Sequence, residues 1–345
     1  MRTQTESTTP VAESDFDEIV GRYRRELLAH CYRMTGSPTE AEDMVQETYV
    51  RAWRSYDNFE GRSSMRTWLY RIATNVCLTS IKGRDRRPLP TGLGAPSLPA
   101  DAPLVTQEID WLAPLPDTLV APSDPAEVAV EADSVRLAFV AALQHLPARQ
   151  RAVLVLRDVL RWSAAETAEA LETSVAAINS ALQRAHATLE NAAPQADTTK
   201  DAELGQRQRA MLKAYVAAFW RKDVDAIARL LTENAIWEMP PHEGWYQGSR
   251  TIASLIDVNC PGGAHDMPML PTTANGQPAF GLYMREQGPD GDRFVPFQLH
   301  VLELVGERIS HVVAFRDATL FGLAGLPEML EPKQVAALAP LDGQG

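Results

Sequence analysis

The sequence predicts a multidomain protein in which two all-α domains precede one α+β domain. Three observations support this prediction. Apolar residues recur at helical three- and four-residue steps over residues 15–87 and 126–192. Nine of the 24 prolines fall within 88–125, where neither a helix nor a sheet can persist, so this segment is expected to be an extended linker. From 203 to 322, helical sequence is followed by strand-like runs, which is typical of an α+β domain.

Composition restricts the function classes. The 345 residues are 45% hydrophobic and 23% charged, as in ordinary globular proteins. The acidic N-terminal segment contains no signal-like or membrane-anchoring apolar stretch, so a cytoplasmic protein without a membrane partner is expected. The three cysteines lie far apart and form no zinc-ligand pattern, so the sequence predicts neither a metal nor a cofactor.

The net charge of −12 argues at first sight against a nucleic-acid partner, but the acidity is unevenly distributed. Residues 88–135 hold eight acidic residues and no Lys or Arg, whereas 15–87 hold 13 basic and 11 acidic residues. The helical segments on either side of the linker are therefore able to approach phosphate groups. Inside the acidic linker, an apolar run with Trp111 and Leu112 either docks on another part of the protein or belongs to a simple spacer.

The first all-α segment contains two amphipathic helices separated by a polar, aromatic loop. The first of them begins near Pro38, with Thr39 as its expected cap, and carries acidic and polar residues on its outer face. The loop over 55–64 and the following helix, which ends in the basic tail 82–87, combine aromatic rings with cations. Such a surface binds single-stranded nucleic acid by stacking on bases and neutralising phosphates. An ordinary helical-bundle surface is the alternative.

The second all-α segment ends in two helices joined by a tight turn. Ser163 and Glu166 have the spacing of a capping box at the start of the first helix, and Glu172-Thr173 connects it to the second. The short turn and the small Ala168 at the crossing favour a helix-turn-helix whose second helix enters a DNA major groove. A plain helical hairpin is the alternative.

Together, these two segments resemble regions 2 and 4 of the extracytoplasmic-function sigma factors, small members of the sigma-70 family. Residues 41–48 and 66–75 resemble region 2, and 146–153 with the helix-turn-helix that follows resembles region 4. The resemblance implies a subunit that binds core RNA polymerase, at its β′ clamp and β flap, and directs it to promoter DNA. The sequence leaves open whether a separate anti-sigma factor is a further partner.

The resemblance also assigns three groups of site residues, all expected on accessible faces. Those implied to bind core polymerase are Asp43, Gln46, Glu47 and Val50. Those implied to bind the −10 element are the base-capturing loop Tyr56, Asp57, Asn58 and Phe59, and the helix residues Thr67, Trp68, Arg71 and Asn75. Those implied to face the −35 element are Asn179, Ser180, Gln183 and Arg184. Trp68 is equally compatible with a core position. Because Asn179, Ala181 and His186 stand where many family members carry Arg, weak −35 binding by this domain alone is expected.

Residues 203–322 resemble the SnoaL-like domain, an α+β cone of the nuclear-transport-factor-two-like superfamily. Three helices are expected over 204–258, followed by strands at 279–286, 294–304 and 308–316. The resemblance implies a pocket enclosed by the curved sheet. Its expected lining residues are Trp237, Met239, His242, Trp245, Tyr246, Phe280, His300, His311 and Asp317.

Two functional classes are compatible with the whole sequence. The first is a promoter-specificity subunit, not an enzyme, whose C-terminal domain modulates its activity in cis. The second is a SnoaL-like cyclase, isomerase or ligand-binding enzyme fused to a DNA-binding module, with His300 or Asp317 as general base. The spacing locates no paired acid and base, which favours the first class.

Overall fold

The computed structural model describes residues 13–59, 61–97, 102–120, 134–192, 205–288 and 291–338. The described parts of Met1–Arg84 and Leu143–Asn191 form one compact unit, the N-terminal unit. Those of Asp85–Ala142 and Ala192–Gly345 form a second, the C-terminal unit. None of the described helices is long and apolar enough to cross a bilayer.

The first part of the N-terminal unit consists of four helices: α1 (Glu13–Gly21), α2 (Arg24–Thr35), α3 (Pro38–Ser55) and α4 (Met65–Ser80). The predicted cap of α3 was wrong by two residues. Ser37 provides it, because its hydroxyl accepts a hydrogen bond from the Glu40 backbone N–H at 3.3 Å. Pro38 starts the helix, as its fixed φ favours, and Thr39 therefore already lies inside it.

The next four helices along the chain are α5 (Leu137–Gln144), α6 (Ala148–Leu154), α7 (Ala164–Ala170) and α8 (Val175–Ala192). A π-helical turn, Val155–Val159, extends α6. The capping box predicted for α7 is present: Ser163 Oγ accepts from Glu166 N at 3.1 Å, and Glu166 Oε2 accepts from Ser163 N at 2.7 Å. The four residues 171–174, with Glu172 at a φ of 50°, join α7 to α8, so the predicted helix-turn-helix is confirmed.

The C-terminal unit is the predicted α+β domain. Its helices are α9 (Gln206–Arg221), α10 (Val224–Leu230), α11 (Ser249–Asn259), α12 (Thr319–Leu323) and α13 (Pro332–Leu338). Its strands are β1 (Leu231–Glu238), β2 (Trp245–Gln247), β3 (Met269–Ala274), β4 (Gln277–Gly288), β5 (Gly291–Val305) and β6 (Arg308–Phe315). They form one six-stranded sheet in the order β2-β1-β6-β5-β4-β3, in which only β1 and β6 pair in parallel among the described strands.

The segment expected to be an extended linker is packed on the C-terminal unit in its described parts. Leu89, Leu112 and Leu115 are each almost completely buried. Leu112 N donates to the Pro88 carbonyl at 3.1 Å, which folds the segment back on itself. In the described residues 85–97 and 102–120, the regular structure is limited to two short 3-10 turns, Pro90–Gly92 and Asp117–Leu119, as the proline content favours. The apolar side chains between the prolines gain free energy when they leave water. We call residues 85–97 and 102–120 the docked linker.

Candidate nucleic-acid interface and C-terminal cleft

The loop predicted to capture a base rests on an aromatic cluster. The Phe59 ring lies 4.8 Å from the Trp68 ring and is tilted by 36°, and the Tyr56 ring lies 6.4 Å from the same indole. Asp57 and Asn58 have exposed side chains at the tip of this turn. Trp68 is half-buried and supports both rings, so the loop has a fixed base and an accessible polar tip.

The remaining predicted −10 residues lie on α4. Thr67 is in the first turn, where its backbone N–H donates to the hydroxyl of the N-cap serine at 3.0 Å. Arg71 and Asn75 lie against α7: Arg71 Nη1 is 3.7 Å from Glu169 Oε1, and Asn75 Nδ2 donates to the Ala170 carbonyl at 3.5 Å. Both contacts are long, and the ion pair is solvent-exposed, so each is individually weak. In this arrangement α7 contacts the edge of the predicted −10 surface, and about half of the Arg71 side chain stays exposed.

A buried arginine joins α6 to α2 within the N-terminal unit. The Arg151 side chain donates to the carbonyls of Leu143 at 2.9 Å, Gln144 at 3.3 Å and Leu146 at 3.2 Å, and also to that of Met34. Burial lowers the pKa of Arg151 to about 10, which leaves the guanidinium charged at neutral pH. The charged Arg151 side chain therefore donates to four backbone carbonyls, three that precede α6 and one in α2, and so holds these two parts of the unit together.

The predicted polymerase-binding residues share the outer face of α3. Asp43, Gln46 and Val50 are exposed, and Glu47 pairs with Arg51 one turn later at 2.7 Å. Val50 exposes 42% of its surface on this face. The face thus combines negative charge with a small apolar patch.

The four residues predicted to face the −35 element are all exposed on α8: Asn179, Ser180, Gln183 and Arg184. Ile178 and Ala185 are buried on the opposite face. His186 Nε2 lies 2.6 Å from Asp158 Oδ2. It therefore fixes α8 on the π-helical turn that follows α6.

The C-terminal unit contains an open cleft with an empty volume of about 420 Å³, including its solvent-filled mouth. Of the predicted pocket residues, Trp237, Met239 and His242 line it. The others do not line it: Trp245, Tyr246, Phe280, His300, His311 and Asp317. Further lining residues, which the sequence analysis missed, include Leu104, Phe219, Phe297 and Arg316.

Neither residue considered as a general base is placed to act in this cleft. His300 is fully buried, with its ring nitrogens bonded to the Tyr215 hydroxyl at 2.9 Å and to Gln298 Oε1 at 3.1 Å. Burial lowers the pKa of His300 to about 3, so the imidazole stays neutral. Asp317 is exposed, and its Oδ1 accepts from Thr319 N at 2.9 Å at the start of α12.

Comparison with known proteins accounts for the helical parts of the chain. The family described as Sigma-70 region 2 matches residues 19–87, and Sigma-70, region 4 matches residues 136–189. The chain is also 54% identical over 318 residues to the ECF RNA polymerase sigma factor SigG of Mycobacterium tuberculosis, covering 92% of this chain and 85% of that protein. The chain belongs to the ECF sigma factors. As a member of this family, it binds core RNA polymerase and promoter DNA.

Two further relatives extend the comparison. The ECF sigma factor SigW of Bacillus subtilis is 30% identical over 175 residues, which cover 50% of this chain and 86% of SigW. The crystal structure of the M. tuberculosis ECF sigma factor SigJ matches this structure with a TM-score of 0.58 and 22% sequence identity. The match covers 90% of this chain and 99% of the SigJ chain. This ECF sigma factor therefore shares its fold with SigJ well beyond regions 2 and 4, including the C-terminal α+β domain.

A hairpin turn that the sequence analysis missed holds the docked linker of this sigma factor. Asn275 lies between β3 and β4 with a φ of 57° and is fully buried. Its Oδ1 accepts from Leu115 N at 2.9 Å, and its Nδ2 donates to the Val135 carbonyl at 2.6 Å. Asn275-Gly276 between two strands is a hairpin signal in itself, but the contacts to residues 115 and 135 have no local signature in the sequence.

A buried carboxylate holds the start of the docked linker. Glu238, at the end of β1, is fully buried, and its Oε2 accepts from Thr91 N at 2.7 Å. Its Oε1 lies 2.6 Å from His311 Nε2, and Glu303 Oε2 lies 3.9 Å from His311 Nδ1. Burial lowers the pKa of His311, but the hydrogen bond and the charge of Glu238, with that of Glu303, outweigh it and raise this pKa above its usual value.

We expect this pair to make the stability of the C-terminal unit depend on pH. Because the pKa of folded His311 is raised above its unfolded value of about 6.5, protonated His311 stabilises the fold below that pH. This contribution is lost as the pH rises through the raised pKa. Urea unfolding of the full chain between about pH 5.5 and about pH 8.5 measures the effect. The variant His311→Gln should lose more stability at the acidic end, and an equal loss at both ends would contradict the assignment.

Proposed function

We propose that this sigma factor reads the −10 element with the loop Tyr56 to Phe59 and the adjacent face of α4, and the −35 element with α8. It docks on the β′ clamp through α3 and on the β flap through region 4, in the bacterial cytoplasm where these partners lie. The observation that carries this proposal is the exposed Asp57-Asn58 tip on its aromatic base, because a flipped base needs both a polar edge to pair with and rings to stack on.

The test is transcription by purified core polymerase on a fork-junction promoter. We expect a transcript that requires the protein, and co-purification of the full chain with core polymerase. The SnoaL-like enzyme with an attached DNA-binding module predicts neither result. A full chain that fails both to associate with core polymerase and to support transcription would contradict the proposal.

We propose further that the C-terminal unit modulates promoter binding in cis through the docked linker. The linker connects regions 2 and 4 along the chain, and α7 of region 4 contacts Arg71 and Asn75 of region 2. Separation of α7 from α4 would release both side chains from these contacts and make them fully available to DNA. While Asn275 and Glu238 hold the linker, the chain between the two regions is shortened. Holding the linker therefore favours the closed arrangement, and releasing it favours separation of the two regions.

The role proposed for the C-terminal unit is regulatory and not catalytic. His300 has no free ring nitrogen and remains neutral, and the Asp317 carboxylate caps a helix outside the cleft. Neither group is therefore available as a general base within the cleft.

The polymerase-binding face yields a direct prediction. Reversing two charges with Asp43→Lys and Glu47→Lys should weaken association with core polymerase, because the clamp partner is proposed to meet an acidic face. The change should slow association most at low salt, where charge steering is strongest. Co-purification and binding kinetics measure it, with Glu190→Lys on exposed α8 as a matched reversal. Unchanged binding of the double variant would remove these residues from the interface.

A further inference from the structure

The turn at the start of the predicted base-capturing loop has little support of its own. Tyr56, Asp57 and Asn58 form a single 3-10 turn, and none of the three is buried. Phe59 N donates to the Tyr56 carbonyl at 2.9 Å and closes the turn. A turn this short, without a buried side chain, has few interactions that fix its conformation. The position of the loop therefore depends on the rings that pack against it.

One of these rings belongs to α1. Phe16 is 2% exposed, and its ring centre lies 5.1 Å from that of Tyr56, with the two planes inclined by 78°. The other described ring beside Tyr56 is that of Trp68, which lies farther away, at 6.4 Å. Edge-to-face pairs at such distances attract each other beyond the effect of burial. Phe16 is therefore the nearer of the two described aromatic neighbours of Tyr56.

The Phe16 ring also contacts the end of α3. It lies 5.1 Å from the Trp53 ring, with the planes inclined by 65°. Trp53 is in the last turn of α3 and is 41% exposed, so its own burial does not hold the chain at this point. Phe16 thus contacts the chain on both sides of the point where α3 ends and the 3-10 turn begins.

A second buried side chain attaches α1 to the rest of the unit. Val20, one turn after Phe16, is 1% exposed, and its carbonyl accepts a hydrogen bond from the Tyr49 hydroxyl of α3 at 3.4 Å. This bond joins α1 to α3, whereas the Phe16 ring also reaches Tyr56. The attachment of α1 and the support of the loop are therefore separable by substitution.

The charge of α1 makes it a poor element for contacting DNA directly. Its nine residues include four acidic ones and no Lys or Arg: Glu13, Asp15, Asp17 and Glu18 are the acidic ones. Contacts with phosphate groups need basic side chains, and acidic ones repel the DNA backbone. An effect of α1 on promoter recognition is therefore expected to act through the residues that it contacts.

We propose that Phe16 is a positioning residue for base capture. Its ring holds Tyr56 and thereby keeps the loop Tyr56 to Phe59 in the conformation that receives the flipped base. A loop that is already ordered loses less conformational entropy when it binds, so the captured base contributes more to affinity. The inference rests on the proposed reading of the −10 element by this loop, and it adds a residue that does not touch the DNA.

The test uses holoenzyme assembled from core polymerase and the full chain. Its affinity is measured for a fork-junction promoter in which the unpaired −10 bases are replaced, one at a time, by an abasic site. The ratio of the affinities for intact and abasic DNA gives the contribution of each base, and a change in the folded fraction of a variant cancels in this ratio. For the wild type we expect a ratio of about tenfold or more at the captured position.

The variant Phe16→Leu keeps a buried apolar side chain on α1 and removes the ring. It should lower the ratio at the captured position by about two- to tenfold, which corresponds to the loss of one aromatic pair. Phe16→Ala should lower it at least as much. Val20→Ala is the matched control, because it truncates a buried side chain of the same helix and keeps the ring. This control should retain the wild-type ratio.

The outcomes separate this inference from the proposed function. A wild-type holoenzyme that loses no affinity at any abasic position would contradict base capture itself. A wild-type loss that persists unchanged in Phe16→Leu would overturn the role of Phe16 alone. An equal fall in Val20→Ala would also overturn it, because the packing of α1 in general would then support the loop. Circular dichroism shows whether Phe16→Ala is folded, and Phe16→Leu decides if it is not.

Discussion

The double substitution Asn58→Ala and Phe59→Ala should reduce promoter opening by about ten- to a hundredfold, because stacking one base on an aromatic side chain contributes about 1–3 kcal/mol. Phe59 is packed on Trp68, and Asn58 is exposed at the loop tip. The substitution therefore removes both a stacking surface and a polar edge, and also loosens the support of the loop. Association with core polymerase, which is assigned to α3, should persist. Permanganate footprinting of the melted strand measures opening directly.

The matched control for this experiment is Thr79→Ala, at an exposed position of α4 outside the predicted site. It should open the promoter like the wild type. Circular dichroism checks that both variants keep their helices. Normal opening by the double variant, with normal association, would show that base capture lies elsewhere on the molecule.

Replacing the buried arginine of the N-terminal unit should have the largest effect on stability. Arg151→Met keeps a long side chain but leaves the carbonyls of Leu143, Gln144, Leu146 and Met34 without this donor. We expect the free energy of unfolding of the N-terminal unit to fall by about 3 kcal/mol or more, since buried acceptors without partners cost about 1–3 kcal/mol each. Urea unfolding followed by circular dichroism measures the change.

Arg149→Met is the matched control, because Arg149 is exposed and donates to the Leu171 carbonyl alone among the described contacts. Its effect should stay below about 1 kcal/mol, the usual worth of a solvated hydrogen bond. Similar losses for the two variants would show that burial of Arg151 contributes little to holding α6 on α2.

The helices of this protein were predictable because their apolar residues repeat with the helical period. The capping box of α7 and the strands β4, β5 and β6 also have local signatures, and the structure confirms them. The docked linker was not predictable in this way. Its buried leucines stand between prolines without any period, and they are buried by a sheet more than one hundred residues away along the chain.

In the candidate site too, features with a local sequence pattern were predictable, and contacts between residues far apart in the sequence were not. The exposed positions of Asn179 and Gln183 follow from helical periodicity, and that of Asn58 follows from the family resemblance. The contact of Arg71 with α7 joins residues 98 positions apart in the sequence, and no local pattern encodes it. In the cleft, Trp237 was identified from the sequence, but Arg316 was not, because a cation at the end of a strand looks like any solvated residue until the rings and carboxylates around it are placed.

The central claim, that the docked linker controls promoter access in cis, is tested most directly by run-off transcription with Asn275→Gly at matched protein concentration. Glycine tolerates the positive φ of this turn, so the hairpin is kept while the side-chain bonds to residues 115 and 135 are lost. Limited proteolysis shows whether the linker is released. The control is Gln287→Ala, at an exposed position of β4. A chain that ends at Gln195 lacks the whole sheet. We expect several-fold more transcript from Asn275→Gly than from the wild type, and an altered level from the shortened chain. Equal transcript from all of these proteins, with the linker shown to be released, would contradict the central claim.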